Sequence, residues 1–410
     1  MKSILTAVIV ALSFFAGGSM YAQNNSIGLP DAAFETLKRA VTLVDEGMYE
    51  AALTDFDSLA GRYPDNYTVQ YERLFALYHL QRFDEVVKDA KKLLKHKDAS
   101  PMIYQMYGNV LDITGKPDEA RKVYRAGLKR FPDAGFLYLE LGNIDFHSGD
   151  YAAALDNYND GISVSPSFAS NYYRGAMICL ASEKARVWGL VYAETAILLA
   201  PNNDERKADM GGRIRECLRD NIRILAEGDT AKASVTLVKE HNMTVNEKTG
   251  KVYLDFQGVF EGCTTAAVTR MTVARESFEA TMPQLIELRR GIAEAYFEAT
   301  DNLYGNSMYL LPFWKSVIDA GHWDAYNYFI FSDVFPDESS AWIRDNREAL
   351  NGFIDWYNES PFTLDKTHTV GAGEIYRDYR PLDVAEAFLL QYDLLKLAEG
   401  KPTDDDEPEE

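Results

Sequence analysis

YQMYGNVLDITGKPDEARKVYRAGLKRFP, residues Tyr104–Pro132, carries Tyr104-x2-Tyr107-Gly108-x2-Leu111, then Ala120-x3-Tyr124, then Pro132. Adding 34 to each number gives YLELGNIDFHSGDYAAALDNYNDGISVSP, with Tyr138-x2-Leu141-Gly142, Ala154-x3-Tyr158 and Pro166. Self-similarity at a fixed period of this length marks a repeat architecture. Each unit reads as a pair of helices. Small Gly108 and Ala120 let the paired helices approach closely. Gly115 and Gly149 fall in the turn between them, where glycine tolerates a positive φ. Pro132, Pro166 and Pro201 stop the second helix of their units.

The flanking sequence stays in phase. Ala52-x3-Phe56 and Pro64 lie two periods before Ala120, Tyr124 and Pro132. The unit between has Phe83, Val86, Ala90 and Leu93 at the same offsets, with Asp98 where Pro would close it. A fifth unit starts at Ser167, has Gly175 in phase and ends at Pro201, with one extra residue around Ser182 to Lys184. These units resemble the tetratricopeptide-repeat (TPR) family. The resemblance implies a mainly α fold, a solenoid of antiparallel helix pairs from about Asp31 to Pro201. One pair cannot bury its apolar face alone, so neighbours stack and a polar-faced cap closes the array. The segment Asp204–Glu227 reads as that capping helix, with Ile214, Leu218, Ile222 and Leu225 on one side and arginines on the other. Gly211-Gly212 reads as a weak point or kink.

The resemblance also implies which residues line the concave groove. They are Tyr71, Glu72, Phe75, Tyr78 and His79 in the second unit, and Gln105, Met106, Asn109 and Asp112 in the third. The fourth gives Leu139, Glu140, Asn143, Phe146 and His147, and the fifth Tyr172 and Tyr173. This wall is aromatic, amide-bearing and mildly acidic. Aromatic anchors with polar partners are what binding hot spots use, so a protein or peptide ligand is expected in the groove. The competing expectation is that several of these aromatics pack on the C-terminal half instead. Chaperone-docking TPRs grip a terminal carboxylate with Lys, Asn and Arg. Asn109 and Asn143 match the Asn position, but no Lys or Arg stands beside them, so that clamp is not expected.

After Gly228 the period is lost, so the array is taken as 23–228 and a mostly helical domain with a small β-element as 229–400. Met243-Thr-Val245, Glu247-Lys-Thr-Gly250 and Val252-Tyr-Leu254-Asp-Phe256 predict a β-hairpin turning at Gly250. Thr269–Ala274 reads as a further strand. Helical stripes follow at Phe278–Phe297, at Trp342–Tyr357 and, after Pro381, through Ala385, Phe388, Leu389, Tyr392 and Leu395. Trp314, Trp323, Trp342 and Trp356 lie in this half. Aromatic platforms can stack on sugars, so a glycan-binding module is the alternative function; helical spacing favours core packing. This half resembles no named family.

Residues carrying catalysis or metal are not evident. The six histidines, His79, His96, His147, His241, His322 and His368, show no metal-ligand spacing. P-loop and GxSxG motifs are absent. Gly371-Ala-Gly373 reads as a flexible loop. Cys263 and His322 are the one conceivable nucleophile–base pair, with nothing around them in support. No cofactor or metal is expected, and a non-catalytic scaffold is favoured over an uncharacterised hydrolase.

Composition agrees. The 410 residues are 47% hydrophobic and 12% aromatic, those of a folded chain, and the net charge of -21 disfavours nucleic acid and anionic membrane as partners. Lys2, the apolar run Ile4–Ala16, Gly17-Gly18-Ser19 and Ser-Met-Tyr-Ala ending at Ala22 read as a signal peptide over 1–22, cut before Gln23. No later stretch reaches about 18 uninterrupted apolar residues, so no membrane insertion is expected after cleavage. An exported protein, periplasmic or secreted, is therefore expected. Cys179, Cys217 and Cys263 are odd in number, leaving at least one thiol free. The tail 401–410, ending Thr403-DDDEPEE, reads as a solvated acidic end.

Overall fold

The computed structural model describes residues 28–227, 230–240, 243–271, 277–373, 375, 379–380 and 382–399. The segment 1–22, expected to be a signal peptide, and the acidic tail 401–410 lie outside the described residues. The described chain holds eighteen α-helices and two small antiparallel sheets. It packs as two compact units that divide between Asn157 and Tyr158. Repeat period and packing thus divide the chain at different places, since the period runs on to Pro201.

Five helix pairs appear where the repeats place them: α1 (Asp31–Asp45) and α2 (Tyr49–Arg62), α3 (Tyr67–His79) and α4 (Phe83–Leu93), α5 (Pro101–Ile113) and α6 (Pro117–Arg130), α7 (Gly135–His147) and α8 (Tyr151–Val164), α9 (Ala169–Ala181) and α10 (Arg186–Leu199). No strand occurs between residues 28 and 221.

In the unit ending at Asn157, the period has a visible cause. The helix–helix turns place Gly47, Gln81, Gly115 and Gly149 at φ between 57° and 84°, one period apart. Glycine adopts this conformation without steric cost; Gln81 is the exception. A Cβ on Gly108 would lie 2.1 Å from Tyr124 Cε1, so the glycine makes room for the aromatic of the second helix. Phe56, Leu59, Val86, Ala90, Ile103, Ala120 and Leu137 fill the core between pairs. Across the other surface Arg73 pairs with Asp57 at 2.6 Å and with Asp89.

In the unit beginning at Tyr158, α10 is buried on every side from Val187 to Leu198. Such a helix needs cover all round, and the C-terminal helices supply it. The next helix, α11 (Asp204–Asn221), runs unbroken through Gly211-Gly212, where Gly211 fits closely against Val334 and the Ile330 carbonyl. It does not continue to Glu227 as expected. Ile222–Glu227 forms β1, paired antiparallel with β2 (Thr230–Val235) from Ile222↔Val235 to Glu227↔Thr230. Asn221 bonds the Cys217 carbonyl at 2.7 Å and ends the helix, and β-branched Ile222 and Ile224 suit the ladder.

The expected hairpin is present: β3 (Met243–Val245) pairs with β4 (Val252–Leu254), and Gly250 has φ 67°. It stops short of Phe256, because Asp255 caps α12 (Phe256–Arg270). The expected strand Thr269–Ala274 is therefore wrong at its start, where Thr269 and Arg270 close α12; residues 272–276 lie outside the described residues. Then come α13 (Met282–Thr300), α14 (Leu310–Asp319), α15 (Trp323–Phe331), α16 (Pro336–Asp345), α17 (Arg347–Glu359) and α18 (Val384–Ala398). The Trp342–Tyr357 stripe is two helices, broken at Asn346, whose amide bonds the Trp342 carbonyl at 3.0 Å. In α18 the expected apolar stripe faces solvent. Phe388, Leu389, Tyr392 and Leu395 are exposed, while Ala387, Leu390, Leu394 and Leu397 are buried. Both faces are apolar, so periodicity could not choose between them.

Candidate functional site

The first helices of the unit ending at Asn157 carry the predicted groove residues, and hydrogen bonds tie them into two sets. In one, the Tyr124 hydroxyl donates to Asn109 Oδ1 at 2.6 Å, and Asn109 Nδ2 donates to the Tyr78 hydroxyl at 3.5 Å. In the other, Gln105 Nε2 donates to Glu140 Oε1 at 2.7 Å and Asn143 Nδ2 to Glu140 Oε2 at 3.2 Å. Burial and the nearby charges of Glu140 and Asp112 push the Tyr124 hydroxyl pKa upward, which keeps it a donor. Tyr71, Phe75, Tyr78, Gln105, Asn109, Asp112, Asn143 and Phe146 are all half-buried, and His79 and His147 are exposed. Each has one side on the core and one open.

The aromatic members cluster at the second pair. His79 stacks on Tyr49 at 4.6 Å between ring centroids, meets Phe75 at 4.4 Å and stands edge-on to Tyr78 at 5.7 Å. Partial burial lowers the His79 pKa and favours the neutral ring. Two turns away on the same helix lies Glu72, only 6% exposed. Burial first, and then the charge of Asp45, raise its carboxyl to about 7. Among the described residues no hydrogen bond or ion pair reaches this carboxylate. A second small cluster joins Phe146 to Tyr151 at 5.3 Å and to His147 at 6.1 Å. Asp45 and Tyr49 escaped the sequence reading because the first repeat is weak and its phase was read from its second helix.

Residues 37–100 and 101–144 each match the tetratricopeptide-repeat family. Residues 37–144 are tetratricopeptide repeats. Solved structures similar to the chain include MamA of Desulfovibrio magneticus, 16% identical, covering 43% of this chain and 98% of that one at TM-score 0.35. A thermophilic TPR protein of Thermus thermophilus is 16% identical over 44% of this chain and 98% of its own, at TM-score 0.38. YrrB, described as a TPR protein with an unusual peptide-binding site, is 18% identical over 42% and 89%, at TM-score 0.31. At these values the likenesses carry nothing about a ligand. No curated protein matches the sequence at the significance required.

The fifth repeat departs from the expected groove. Tyr172 is fully buried and meets Tyr192 edge-on at 5.5 Å, so it is core and not a contact surface. The loop after Val370 packs on that same Tyr192. Ala372 N–H donates to the Tyr192 hydroxyl at 2.9 Å, and a Cβ on Gly371 would lie 3.2 Å from Ile162. Gly371-Ala372-Gly373 is thus a packing strap, its glycines admitting the close approach. Tyr173 is half-buried and turned to α11, donating to Asp209 at 2.9 Å beneath the Arg206 guanidinium.

Sequence reading also missed a buried charge network. Glu194 of α10 is bound by Arg289 of α13, by Trp314 Nε1 at 2.7 Å and by the Tyr326 hydroxyl. Arg289 also bonds Asn327 and lies over Trp314 at 4.7 Å and Phe331 at 5.2 Å. Its signal was present. Glu194 is the lone acid in an apolar helix, and Arg289 interrupts the stripe Leu285, Leu288, Ile292. The tryptophans follow the core expectation, with Trp314 and Trp323 buried and Trp342 stacked on Tyr328 at 4.4 Å. All three cysteines are buried free thiols, and burial pushes Cys179 and Cys217 up to about 12 and Cys263 higher still. His322 packs on Trp356 at 5.6 Å. Among the described residues no group of His, Cys, Asp and Glu could hold a metal, and no helix is long and apolar enough to cross a membrane.

Proposed function

We propose that the chain is an exported, periplasmic or secreted, non-catalytic scaffold that binds a protein or peptide on the face formed by α1, α3, α5 and α7. One observation carries this: half-exposed aromatic and amide side chains at successive inward positions are held in fixed orientation by their own hydrogen bonds, Tyr78–Asn109–Tyr124 and Gln105–Glu140–Asn143. Preorganised aromatic and amide groups bind with little ordering cost. Glu140 stands beside Asn143 where a carboxylate clamp would need a cation, so a chain terminus held by its carboxylate is disfavoured. The thiols, buried and held protonated, offer no nucleophile. The glycan reading loses ground because the tryptophans of the C-terminal half are packed on other rings.

Replacing Tyr71 and Tyr78 by Ala tests the reading. Capture of the partner from a native envelope or culture-supernatant extract should weaken by on the order of 2 kcal/mol, with a small change in thermal stability. Full capture by a folded double variant would exclude this face.

A further inference from the structure

The face described above has a charge character that the repeat pattern does not require. Glu72 is nine-tenths buried, with no cation or donor on its carboxylate among the described residues. Asp45 from the end of α1 is the acid whose charge acts on it. Beyond them Asp112 and Glu140 both act on the Tyr124 hydroxyl, so they share the next stretch of the same face. Lys and Arg are absent from the inward positions of α3, α5 and α7, namely Tyr71, Glu72, Phe75, Tyr78 and His79, then Gln105, Met106, Asn109 and Asp112, then Leu139, Glu140, Asn143, Phe146 and His147. On α1, Lys38 is held by Glu35 at 3.3 Å. Arg39 and Arg73 are committed to Asp55 and to Asp57 with Asp89.

A buried carboxylate is retained at a cost unless something pairs with it. One and two turns along α3 from it lie Phe75 and His79, their rings in contact, with Tyr49 and Tyr78 against His79. Aromatic faces beside carboxylates are the environment in which an ammonium or guanidinium group is held, by the ring quadrupole and by charge. Resting on the scaffold reading, we propose that the partner is a basic peptide segment, with one Lys or Arg side chain seated over Phe75 and His79 and paired by Glu72 and Asp45. Asp112 and Glu140 take further basic residues along the same segment.

The test uses the full chain and fluorescent twelve-residue peptides of Arg, Ser, Leu and Gly, with matched peptides in which citrulline or Glu replaces Arg. The Arg peptide should bind at least tenfold more tightly than the citrulline one, and the Glu peptide should not bind. Glu72→Gln with Asp45→Asn should remove most of that preference. Asp118→Asn with Glu119→Gln, on the first turn of α6, should leave it intact. Equal binding of Arg and citrulline peptides would overturn the proposal, and so would equal loss in the α6 variant, which would reduce the effect to net charge. If no peptide binds while Tyr71 and Tyr78 still govern capture of the native partner, the basic-segment proposal falls and the scaffold reading stands. If capture ignores those tyrosines as well, both fall.

Discussion

Glu72 gives the sharpest physical test of the groove. Its carboxyl is raised from 4.5 to about 7, first by burial and then by Asp45. In the unfolded chain it titrates near its ordinary value. Between about pH 4.5 and 7 the folded state therefore holds a proton that the unfolded state has lost. Stability from this group is fully present below pH 4.5 and is lost as pH rises through 7. A gap of about 2.5 pH units, at ~1.36 kcal/mol each, corresponds to about 3 kcal/mol. Glu72→Gln removes the titration and keeps the shape. The variant should match the native chain near pH 4 and exceed its stability by about 2–3 kcal/mol at pH 8. All five tryptophans lie at Trp188 or beyond, so their fluorescence does not report the unit that holds Glu72. Hydrogen exchange of the α3 amides, corrected for intrinsic rates, reads it directly. A stability difference between variant and native chain that stays flat from pH 4 to pH 8 would refute the reasoning, since Glu72 would then be ionised without cost.

Other substitutions probe the frame. Arg289→Met leaves Glu194 buried with only the Trp314 and Tyr326 donors, and should cost about 3–5 kcal/mol in urea unfolding followed by tryptophan fluorescence. Adding Glu194→Leu should recover much of that loss, because well-packed apolar groups often replace a buried pair without penalty. Gly108→Val drives a side chain into the Tyr124 ring, where even a Cβ would stand at 2.1 Å, and should cost about 1–3 kcal/mol in thermal unfolding. The same change should loosen Asn109, which the Tyr124 hydroxyl orients.

The helix pairs were legible because each repeat position has a local steric cause. Gly108 faces Tyr124, Gly115 and Gly149 take positive φ, and Pro132 and Pro166 follow the second helices. The end of the array was not legible. Ile214, Leu218, Ile222 and Leu225 keep helical spacing, yet Ile222 begins a strand because Thr230–Val235 offers it a ladder partner. Spacing within one segment carries no information about a partner elsewhere in the chain. The same limit hid the face of α18, and it hid the break at Asn346. At the groove, phase alone placed Tyr71, Tyr78, Asn109 and Asn143 on one surface. It failed at Tyr172, which is buried edge-on against Tyr192 of the next helix.

Among the described residues the helices of the repeat array bury three acids, Glu72, Asp145 and Glu194; Asp145 is paired with Arg121, and Glu72 and Glu194 differ in one respect. Glu194 has its cation supplied by the same chain: Arg289 reaches it from α13, and rings close the cage. That pair fixes α10 to the C-terminal helices and leaves nothing for a ligand to satisfy. Glu72 lies at a comparable depth, 6% exposed against 3%, but no Lys or Arg of the described chain reaches it. If burial alone were the purpose, glutamine or leucine would pack there at lower cost at neutral pH. An acid that weakens the free protein gains from any cation brought to it, because the partner then removes the penalty that the fold left in place. The ring of Phe75, one turn along α3, would offer a cation its face and no competing donor. The difference between the two acids is thus the difference between a closed joint and an open seat, and it points to α3 as the place where a partner's basic side chain should register.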